Sequence, residues 1–195
     1  MRNRARFALP GLLVLFLAAF PAWGVTREEA VAKYEQLVKK SAGQCDLPGV
    51  MGIAFEWQVF DKTSGTLVAV RKFIQVSSGD TEIDIETALE VLQCKLRINA
   101  QEVTKGFLSA RDVRNQLIRS QEYARANKKC LMLVVNRPLT SRASSFMASQ
   151  FPGVKIRTIP FDFREWASKH GLDADRMLYR ARVKFQVFQQ SGFRF

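Results

Sequence analysis

The sequence has few of the residues on which the best-known enzyme sites depend. It contains one histidine, His170, and three cysteines in 195 residues. A Ser-His-Asp triad or a histidine metal cluster would have to use His170, which directly precedes Gly171, where the pattern ends a helix. The helix dipole favours a histidine at that place, so a structural role accounts for it. The cysteines are too far apart for a zinc knuckle, and no C-x-x-C pair occurs.

Glycine-rich phosphate-binding loops are also missing. The sequence contains no G-x-x-x-x-G-K-[ST], no G-x-G-x-x-G and no H-E-x-x-H. These absences argue against P-loop nucleotide hydrolases, dinucleotide-dependent enzymes and zinc proteases. What the sequence does show is an uneven distribution of apolar residues at its beginning and of basic residues in its second half.

Long apolar runs are confined to the first 24 residues. Three arginines precede an apolar run over residues 7–20, and Pro21-Ala22-Trp23-Gly24 follows it. This is the layout of a secretory signal peptide, with cleavage expected after Gly24. A retained membrane anchor is the alternative, although the run is shorter than the ~20 apolar residues of a spanning helix. We therefore expect a periplasmic or secreted protein without stable membrane insertion after cleavage.

The positive charge belongs to the second half of the chain. Residues 25–97 hold 9 lysines and arginines against 11 acids, whereas residues 98–195 hold 18 against 7. A field of that sign attracts nucleic acid, anionic lipid headgroups or an acidic protein. A solvated basic surface without a specific partner remains the alternative, because no aromatic-rich basic motif accompanies it.

The three cysteines can form at most one internal disulfide in an oxidising compartment. Cys45 lies in a Gly-Gln-Cys-Asp loop after the first expected helix, whereas Cys130 opens an apolar strand. We expect Cys45 to pair with Cys94 and Cys130 to remain a buried apolar residue.

The N-terminal half is predicted to form a helix, a β-hairpin and a second helix. A capping box from Thr26 to Glu29 starts the first helix, which Gly43 ends. Alternating apolar residues over 53–60, a turn at 61–65 and a strand over 68–76 predict the hairpin. The second helix would carry an apolar stripe and an acidic first turn: Ile85, Leu89, Leu92 and Leu96, with Glu82, Asp84, Glu86 and Glu90.

The C-terminal half is predicted to form a three-stranded α/β unit. A helix opens near residues 109–112, and the wholly apolar run Cys130–Val135 is typical of a strand buried on both faces. A helix over 140–150, a strand over 154–159 and a helix from Asp162 follow. The last strand, residues 180–187, would present a basic ladder of Arg180, Arg182 and Lys184.

The predicted fold class is therefore α/β or α+β. Residues 1–24 would be the signal peptide, and residues 25–105 and 106–195 would form either two parts, with a seam near residues 99–106, or one continuous domain. Because the loop after a buried parallel strand commonly carries a site, Arg137 and Arg142 after the apolar strand are expected to contact a partner.

One stretch of the N-terminal half resembles nucleases of the restriction-endonuclease fold. Phe60-Asp61-Lys62-Thr63-Ser64-Gly65 is similar to a Phe-Asp-x-x-Thr-Gly turn of toxin nucleases, and Arg71-Lys72 stands where the family has its catalytic lysine. The resemblance implies Mg²⁺-dependent phosphodiester hydrolysis with Asp61, Lys72 and Glu35 as catalytic residues. Val70 occupies the position of a further acidic or polar ligand. Lys72 itself shares strand parity with apolar residues, so it either snorkels or lies at a bulge.

The C-terminal third resembles small periplasmic proteins of integrating conjugative elements. The stretch Phe163 to Asp173 and its flanking strands carry this resemblance, which implies a thioredoxin-like βαβ arrangement. The loop that would hold a cysteine pair reads Asn136-Arg137-Pro138-Leu139, so thiol-disulfide activity is not implied.

Two functions follow from the sequence, and they make different demands on metal. The expected one is an exported, non-enzymatic envelope protein, an accessory component of a conjugative DNA-transfer or secretion system. It would bind an acidic partner or nucleic acid through Arg137, Arg142, Arg180, Arg182 and Lys184, without a cofactor. The alternative is a metal-dependent nuclease that requires Mg²⁺. Whether the chain is an enzyme stays open.

Overall fold

The computed structural model describes residues 24–96 and 111–190, with side chains described over 24–96 and 112–183. Within these ranges the chain forms six helices and five strands in an α/β fold, as the sequence predicts. Residues 1–23 of the predicted signal peptide, and the predicted seam near residues 99–106, lie outside the described residues. No helix in the described ranges is long and apolar enough to cross a membrane.

The elements follow one another in a regular order. In the N-terminal part they are α1 (Arg27–Gly43), α2 (Leu47–Asp61), β1 (Leu67–Val76), β2 (Gly79–Thr87) and β3 (Glu90–Lys95). The C-terminal part contains α3 (Arg111–Ala126), β4 (Cys130–Val135), α4 (Ser141–Gln150), β5 (Lys155–Thr158), α5 (Phe163–Lys169) and α6 (Ala174–Gln190).

One mixed sheet joins the two halves of the chain. Its strands lie in the order β1-β2-β3-β4-β5, with β1, β2 and β3 antiparallel and β3, β4 and β5 parallel. Lys95 at the end of β3 is in register with Val135 at the end of β4. The carboxyl ends of β3, β4 and β5 therefore share one edge of the sheet, which is the usual place for a site in such folds.

Three of the predicted elements are wrong. Residues 53–60 lie in helix α2, because this helix is buried on nearly all sides and so shows apolar residues at both parities. The predicted helix around residues 81–96 is instead β2 and β3, so the true hairpin joins β1 to β2. The predicted strand 180–187 belongs to helix α6, so its basic residues form no ladder.

Helices cover both faces of the sheet. On one face, α1, α2 and α5 pack against a core that includes Val70, Ile85 and Met132. On the other face, α3 and α4 pack against Leu133 and Val135, and Ala124 of α3 meets Ile83 of β2. The sheet is thus the middle layer of three, and residues of β2 meet a different set of helices on each side.

Helix α3 holds the β1–β2 turn in place through charged side chains. Carboxylate oxygens of Glu122 accept hydrogen bonds from Ser77 N–H at 2.6 Å and Ser78 Oγ–H at 2.6 Å, while Arg119 donates to Asp80 O at 2.7 Å. These bonds from Ser77 and Ser78 lower the pKa of Glu122 to about 2. The contacts fix the strand that carries the acidic residues described below.

The hydrogen bonds between Glu122 and the β1–β2 turn should break in acid. Because the folded pKa of Glu122 is depressed, its contribution is present above the ordinary pKa of 4.5 and is lost as pH falls towards about 2. The protection of the Ser77 and Ser78 amides, measured by NMR as the exchange rate relative to the intrinsic rate at each pH from 5 to 2, should fall across this window. Glu122→Gln should show fast exchange without that step, and an unchanged acid step in this variant would contradict the assignment.

Candidate functional site

An acidic cluster lies between helix α2 and strand β2. Its members are Glu56 of α2 and Glu82 and Asp84 of β2, and all three have carboxyl groups that are largely shielded from solvent: the side chains of Glu56 and Glu82 are 13% and 19% exposed, and Asp84 as a residue is 4% exposed. Three acids in one half-buried place are costly unless cations or hydrogen-bond donors compensate them.

Arg71 of β1 bridges two of these acids. Its Nη1 donates to Glu56 Oε2 at 3.0 Å, and its Nε lies 2.7 Å from Glu82 Oε1. Burial works against the guanidinium charge, but Glu56 and Glu82 outweigh it, and the pKa of Arg71 is raised. Arg71 is therefore a charged, internal counterion of the cluster.

The backbone at Arg71 departs from strand geometry. Its φ of +46° lies in the left-handed region, which non-glycine residues seldom adopt. Lys33 of α1 supports this conformation, since its ammonium donates to Val70 O at 2.8 Å and to Arg71 O at 3.2 Å. In a regular strand Val70 and Lys72 would point to the same face of the sheet. The irregular backbone at Arg71 breaks this alternation, so Val70 packs on the α2 side and Lys72 lies on the α3 side.

Lys95 at the end of β3 supplies a second cation. Asp84 Oδ2 accepts a hydrogen bond from the N–H of Cys94 at 2.6 Å, which fixes the carboxylate against the end of strand β3. Burial raises the pKa of Asp84, and the nearby Lys95 charge opposes this. Burial and the neighbouring Asp84 raise the pKa of Glu56 to about 8, again against Arg71 and Lys95. The Lys95 charge therefore favours the ionised form of both carboxyl groups.

A tyrosine hydroxyl completes the cluster. Tyr34 of α1 is fully buried, and its hydroxyl has no hydrogen-bond partner among the described residues. Burial, with Glu56 and then Cys94 and Asp84 nearby, raises the pKa of Tyr34. A buried hydroxyl without a partner is unusual in a native protein.

The residue types fit a divalent cation. Mg²⁺ is commonly held by one or two carboxylates, with water and substrate phosphate oxygens completing its coordination. Glu56 and Asp84 can supply the two carboxylates, and the orphaned Tyr34 hydroxyl can bond to a water on the ion. No group of three or more histidine, cysteine, aspartate or glutamate side chains in the described part of the chain is placed to hold a metal ion. An ion in this cluster would therefore have two protein carboxylates as ligands, and water and substrate would have to supply the others.

The structure does not bring together the residues predicted from the nuclease resemblance. Asp61 ends helix α2, where its carboxylate lies 3.9 Å from Arg27, and burial raises its pKa. Glu35 is exposed on α1 and pairs with Lys39 at 3.7 Å. Lys72 lies on the α3 side of the sheet, so these three side chains belong to separate surroundings.

Lys72 is part of a second charged network. Glu86 of β2 is 2% exposed at its side chain and accepts hydrogen bonds from Lys72 at 3.0 Å, Tyr123 at 2.9 Å and Lys129 at 2.6 Å. Burial alone would raise the pKa of Glu86, but these bonds from Lys129, Lys72 and Tyr123 lower it. With every partner satisfied, this network has the character of a structural support.

The basic residues predicted to bind a partner lie in two places. Arg137 follows β4 and Arg142 lies in the first turn of α4, both exposed, beside the sheet edge where β3 ends at Lys95. Arg180 and Arg182 are exposed on α6, and Arg180 lines a cleft with Cys45. Lys184 lies in α6, with its side chain outside the described residues.

The single histidine is held in an aromatic stack. His170 caps the end of α5, with its ring 4.2 Å from that of Trp57 and 4.4 Å from that of Trp166, measured between centroids. This packing agrees with the structural role expected from the sequence.

All three cysteines are free thiols in the structure. Cys45 is half-buried in the α1–α2 loop, Cys94 is buried on β3 beside Asp84, and Cys130 opens β4. The disulfide predicted between Cys45 and Cys94 is not formed, and the pairing stays a prediction for the oxidised protein.

Sequence reasoning missed Glu56, Asp84 and Lys95 because each was assigned to the wrong kind of element. One signal could have found them. Acids recur at every second position over residues 80–86, and this period of two is typical of a strand, whereas a helix stripe repeats every three or four residues. Two residues of the next strand, Gln93 and Lys95, continue the polar pattern.

No protein-family profile, curated protein or solved structure matches this chain.

Proposed function

We propose that this protein is a metal-dependent phosphodiesterase that cleaves nucleic acid at the cluster of Glu56, Asp84 and Lys95. The observation that carries the proposal is a cluster of two buried carboxyl groups, Glu56 of α2 and Asp84 of β2. Asp84 accepts a hydrogen bond at 2.6 Å from the N–H of Cys94, the residue before Lys95 at the end of β3. Hydrolysis of a phosphodiester by a divalent ion needs two acidic ligands and a cation near the scissile phosphate. The proposal keeps the function class that the nuclease resemblance implies and moves it to other residues.

Each residue has a defined task. The carboxylates of Glu56 and Asp84 hold the ion, and the bond from Cys94 N–H fixes the orientation of Asp84. When bound, the ion activates water and polarises the phosphoryl oxygens. The Lys95 charge opposes the effect of burial on both carboxyl groups, and in this proposal its ammonium stabilises the negative charge that develops on the phosphate. Tyr34 orients water within the cluster.

The surroundings of the cluster suit a polyanion. Arg137 and Arg142 lie beside the same sheet edge as Lys95 and are exposed. The excess of lysines and arginines over acids in residues 98–195, 18 against 7, favours the approach of nucleic acid to this half of the chain.

A cleavage assay tests the proposal. The purified protein should cleave labelled DNA or RNA when Mg²⁺ or Mn²⁺ is present and not in EDTA. Lys95→Ala should reduce the rate by about 10²–10³-fold, because the charge that develops on the phosphate loses its cation. Asp61→Asn, at the exposed end of α2, is the matched control and should retain wild-type activity. Equal loss in both variants, or cleavage in EDTA, would contradict the proposal.

Arg137 and Arg142 should affect binding more than chemistry. Replacing either by alanine should weaken nucleic-acid binding and lower the slope of log affinity against log salt by about one unit. Fluorescence anisotropy over a salt series measures both quantities. Arg164→Ala is the control, because this substitution removes the same charge from the exposed surface of α5. Arg164 pairs there with Asp175 of α6. An Arg164→Ala effect as large as theirs would mean that the basic field is unspecific.

The non-enzymatic alternative has one observation in its favour. Arg180 and Arg182 are exposed on α6, remote in sequence from the acidic cluster, and could bind an acidic envelope partner. That function predicts retention of a partner without metal and without cleavage. Loss of this retention on neutralising Arg180, Arg182 and Lys184 together, with no cleavage under any metal condition, would favour the binding function.

We also infer export with signal cleavage after Gly24. The N–H of Val25 donates to Val68 O at 3.3 Å, and an N-terminal ammonium at Val25 could keep that bond. Mass spectrometry of protein recovered from the periplasm or medium tests this location. A mature chain that begins at Val25 agrees with it, and full-length protein in the cytoplasm contradicts it.

A further inference from the structure

Arg71 already pairs with the Glu56 carboxylate, which the proposed metal ion would need as a ligand. Its Nη1 is 3.0 Å from Glu56 Oε2, so one oxygen of a proposed ligand already has a cation partner. A guanidinium and a divalent ion cannot both take the same side of that carboxylate. We propose that Arg71 is an internal competitor of the metal, which must leave Glu56 before the ion binds. This inference rests on the proposed function, because it assumes that Glu56 and Asp84 bind the ion.

The position of Arg71 suits displacement. Its side chain is 23% exposed, so a path to solvent exists, and β1 is the edge strand of the sheet. Glu82 Oε1 lies 2.7 Å from Nε, whereas Glu56 is paired with Nη1, so the two acids hold different nitrogens of the guanidinium. Arg71 can therefore leave Glu56 while remaining paired with Glu82, a movement of the side chain without rearrangement of the core.

The backbone of Arg71 gives the competitor a defined resting place. The left-handed φ of +46° aims the side chain at Glu56 on the α2 side, while Lys72 points to the other side of the sheet. Non-glycine residues in this region are held there by their surroundings. Lys33 does this by donating to the carbonyls of Val70 and Arg71. The arrangement is thus held by contacts outside the proposed metal ligands.

The Tyr34 hydroxyl distinguishes this cluster from an ordinary buried ion pair. A structural ion pair is expected to have its surrounding polar groups satisfied. Here a fully buried hydroxyl beside Glu56 and Asp84 has no partner among the described residues. Arg71 therefore compensates the charge of the acids without completing the hydrogen bonding of the site, which a hydrated ion could do.

Metal affinity, measured without substrate, tests the competitor. Isothermal titration of Mn²⁺ into Arg71→Gln should give an affinity about 10-fold or more above wild type, within the usual range of coupling between two sites. Arg71→Lys, which keeps the charge and shortens the reach, should fall between them and serves if the glutamine variant does not fold. Arg27→Gln is the charge-matched control, because Arg27 contacts Asp61 outside the cluster, and it should bind Mn²⁺ as wild type does.

The outcomes separate the competitor from the site itself. Mn²⁺ binding that is lost in Asp84→Asn but is no tighter in the two Arg71 variants than in wild type would overturn the competitor and leave the metal site standing. Mn²⁺ binding that is absent from all variants, or unaffected by Asp84→Asn, would overturn both. Tighter binding in Arg71→Gln should also lower the Mn²⁺ concentration for half-maximal cleavage by a similar factor.

Discussion

Asp84→Asn should abolish metal-dependent cleavage while leaving the protein as stable as wild type, or more stable. The carboxylate is lost as a metal ligand, so cleavage should fall by at least about 100-fold at any practical metal concentration. The amide oxygen of asparagine can still accept the bond from Cys94 N–H. Because burial raises the pKa of Asp84, its charge is unfavourable in the folded protein, and a neutral isostere removes that cost.

Parallel measurement of rate and thermal stability separates this result from misfolding. Cleavage of labelled nucleic acid gives the rate, and a thermal scan gives the midpoint of unfolding. Residues selected for function commonly oppose stability, so lost activity with an equal or higher midpoint would identify Asp84 as functional. Glu35→Gln, at an exposed acid on α1, should change neither quantity. Retained cleavage in Asp84→Asn would remove this residue from the site.

Glu86→Ala should have the largest effect on stability. Its side chain is nearly inaccessible and receives bonds from Lys72, Lys129 and Tyr123. Breaking a buried charge pair by removing one partner costs about 3–5 kcal/mol, since the remaining charges lose their compensation. The charge of Lys129 would be the least compensated, because its side chain is 12% exposed. The Lys72 side chain is 40% exposed, so its ammonium can be solvated by water. Urea denaturation measures the free energy of unfolding.

Two comparisons sharpen the test of Glu86. Lys72→Met removes the more exposed partner and should cost about 1 kcal/mol or less. Because the folded pKa of Glu86 is lowered, its contribution is present above the ordinary pKa of 4.5 and is lost as pH falls through the folded value. The stability difference between wild type and Glu86→Ala should therefore shrink in acid. A difference that is equal for Lys72→Met and Glu86→Ala, or constant with pH, would contradict the network.

The elements with strong local signals were predictable from the sequence. The capping box at Thr26 and Glu29 forms as expected, with both side-chain bonds present. The apolar run of β4 and the Asp162 cap of α5 are likewise confirmed. In each case a few neighbouring residues determine the local structure, so distant contacts do not change the result.

The elements that fail are those in which packing overrides local pattern. Helix α2 lies between the sheet and other helices, so its apolar residues occur at both strand parities and mimic alternation. In β2 and β3, a helix-like spacing of apolar residues is accidental, since Leu89 is exposed in the turn between them. The start of α6 had a local signal, because Asp173 Oδ1 accepts the N–H of Arg176 at 2.8 Å.

The candidate site was beyond local reasoning for a further reason. Glu56, Asp84 and Lys95 come from three elements, and their proximity depends on how α2 crosses β2 and β3. The left-handed Arg71 is not signalled by a glycine or a turn motif, yet it directs a guanidinium into the cluster. The function now proposed is the nuclease that the sequence offered only as the alternative to a non-enzymatic envelope protein, and the residues proposed for it change entirely.

The most direct test of the account is to locate a bound metal ion. Crystals grown with Mn²⁺, measured at a wavelength where manganese scatters anomalously, should show a peak within coordination distance of both the Glu56 and Asp84 carboxylates. Arg71 should then be turned away from Glu56. A peak elsewhere, or Glu56 and Asp84 without metal at saturating Mn²⁺ in a protein that is correctly folded, would contradict the account.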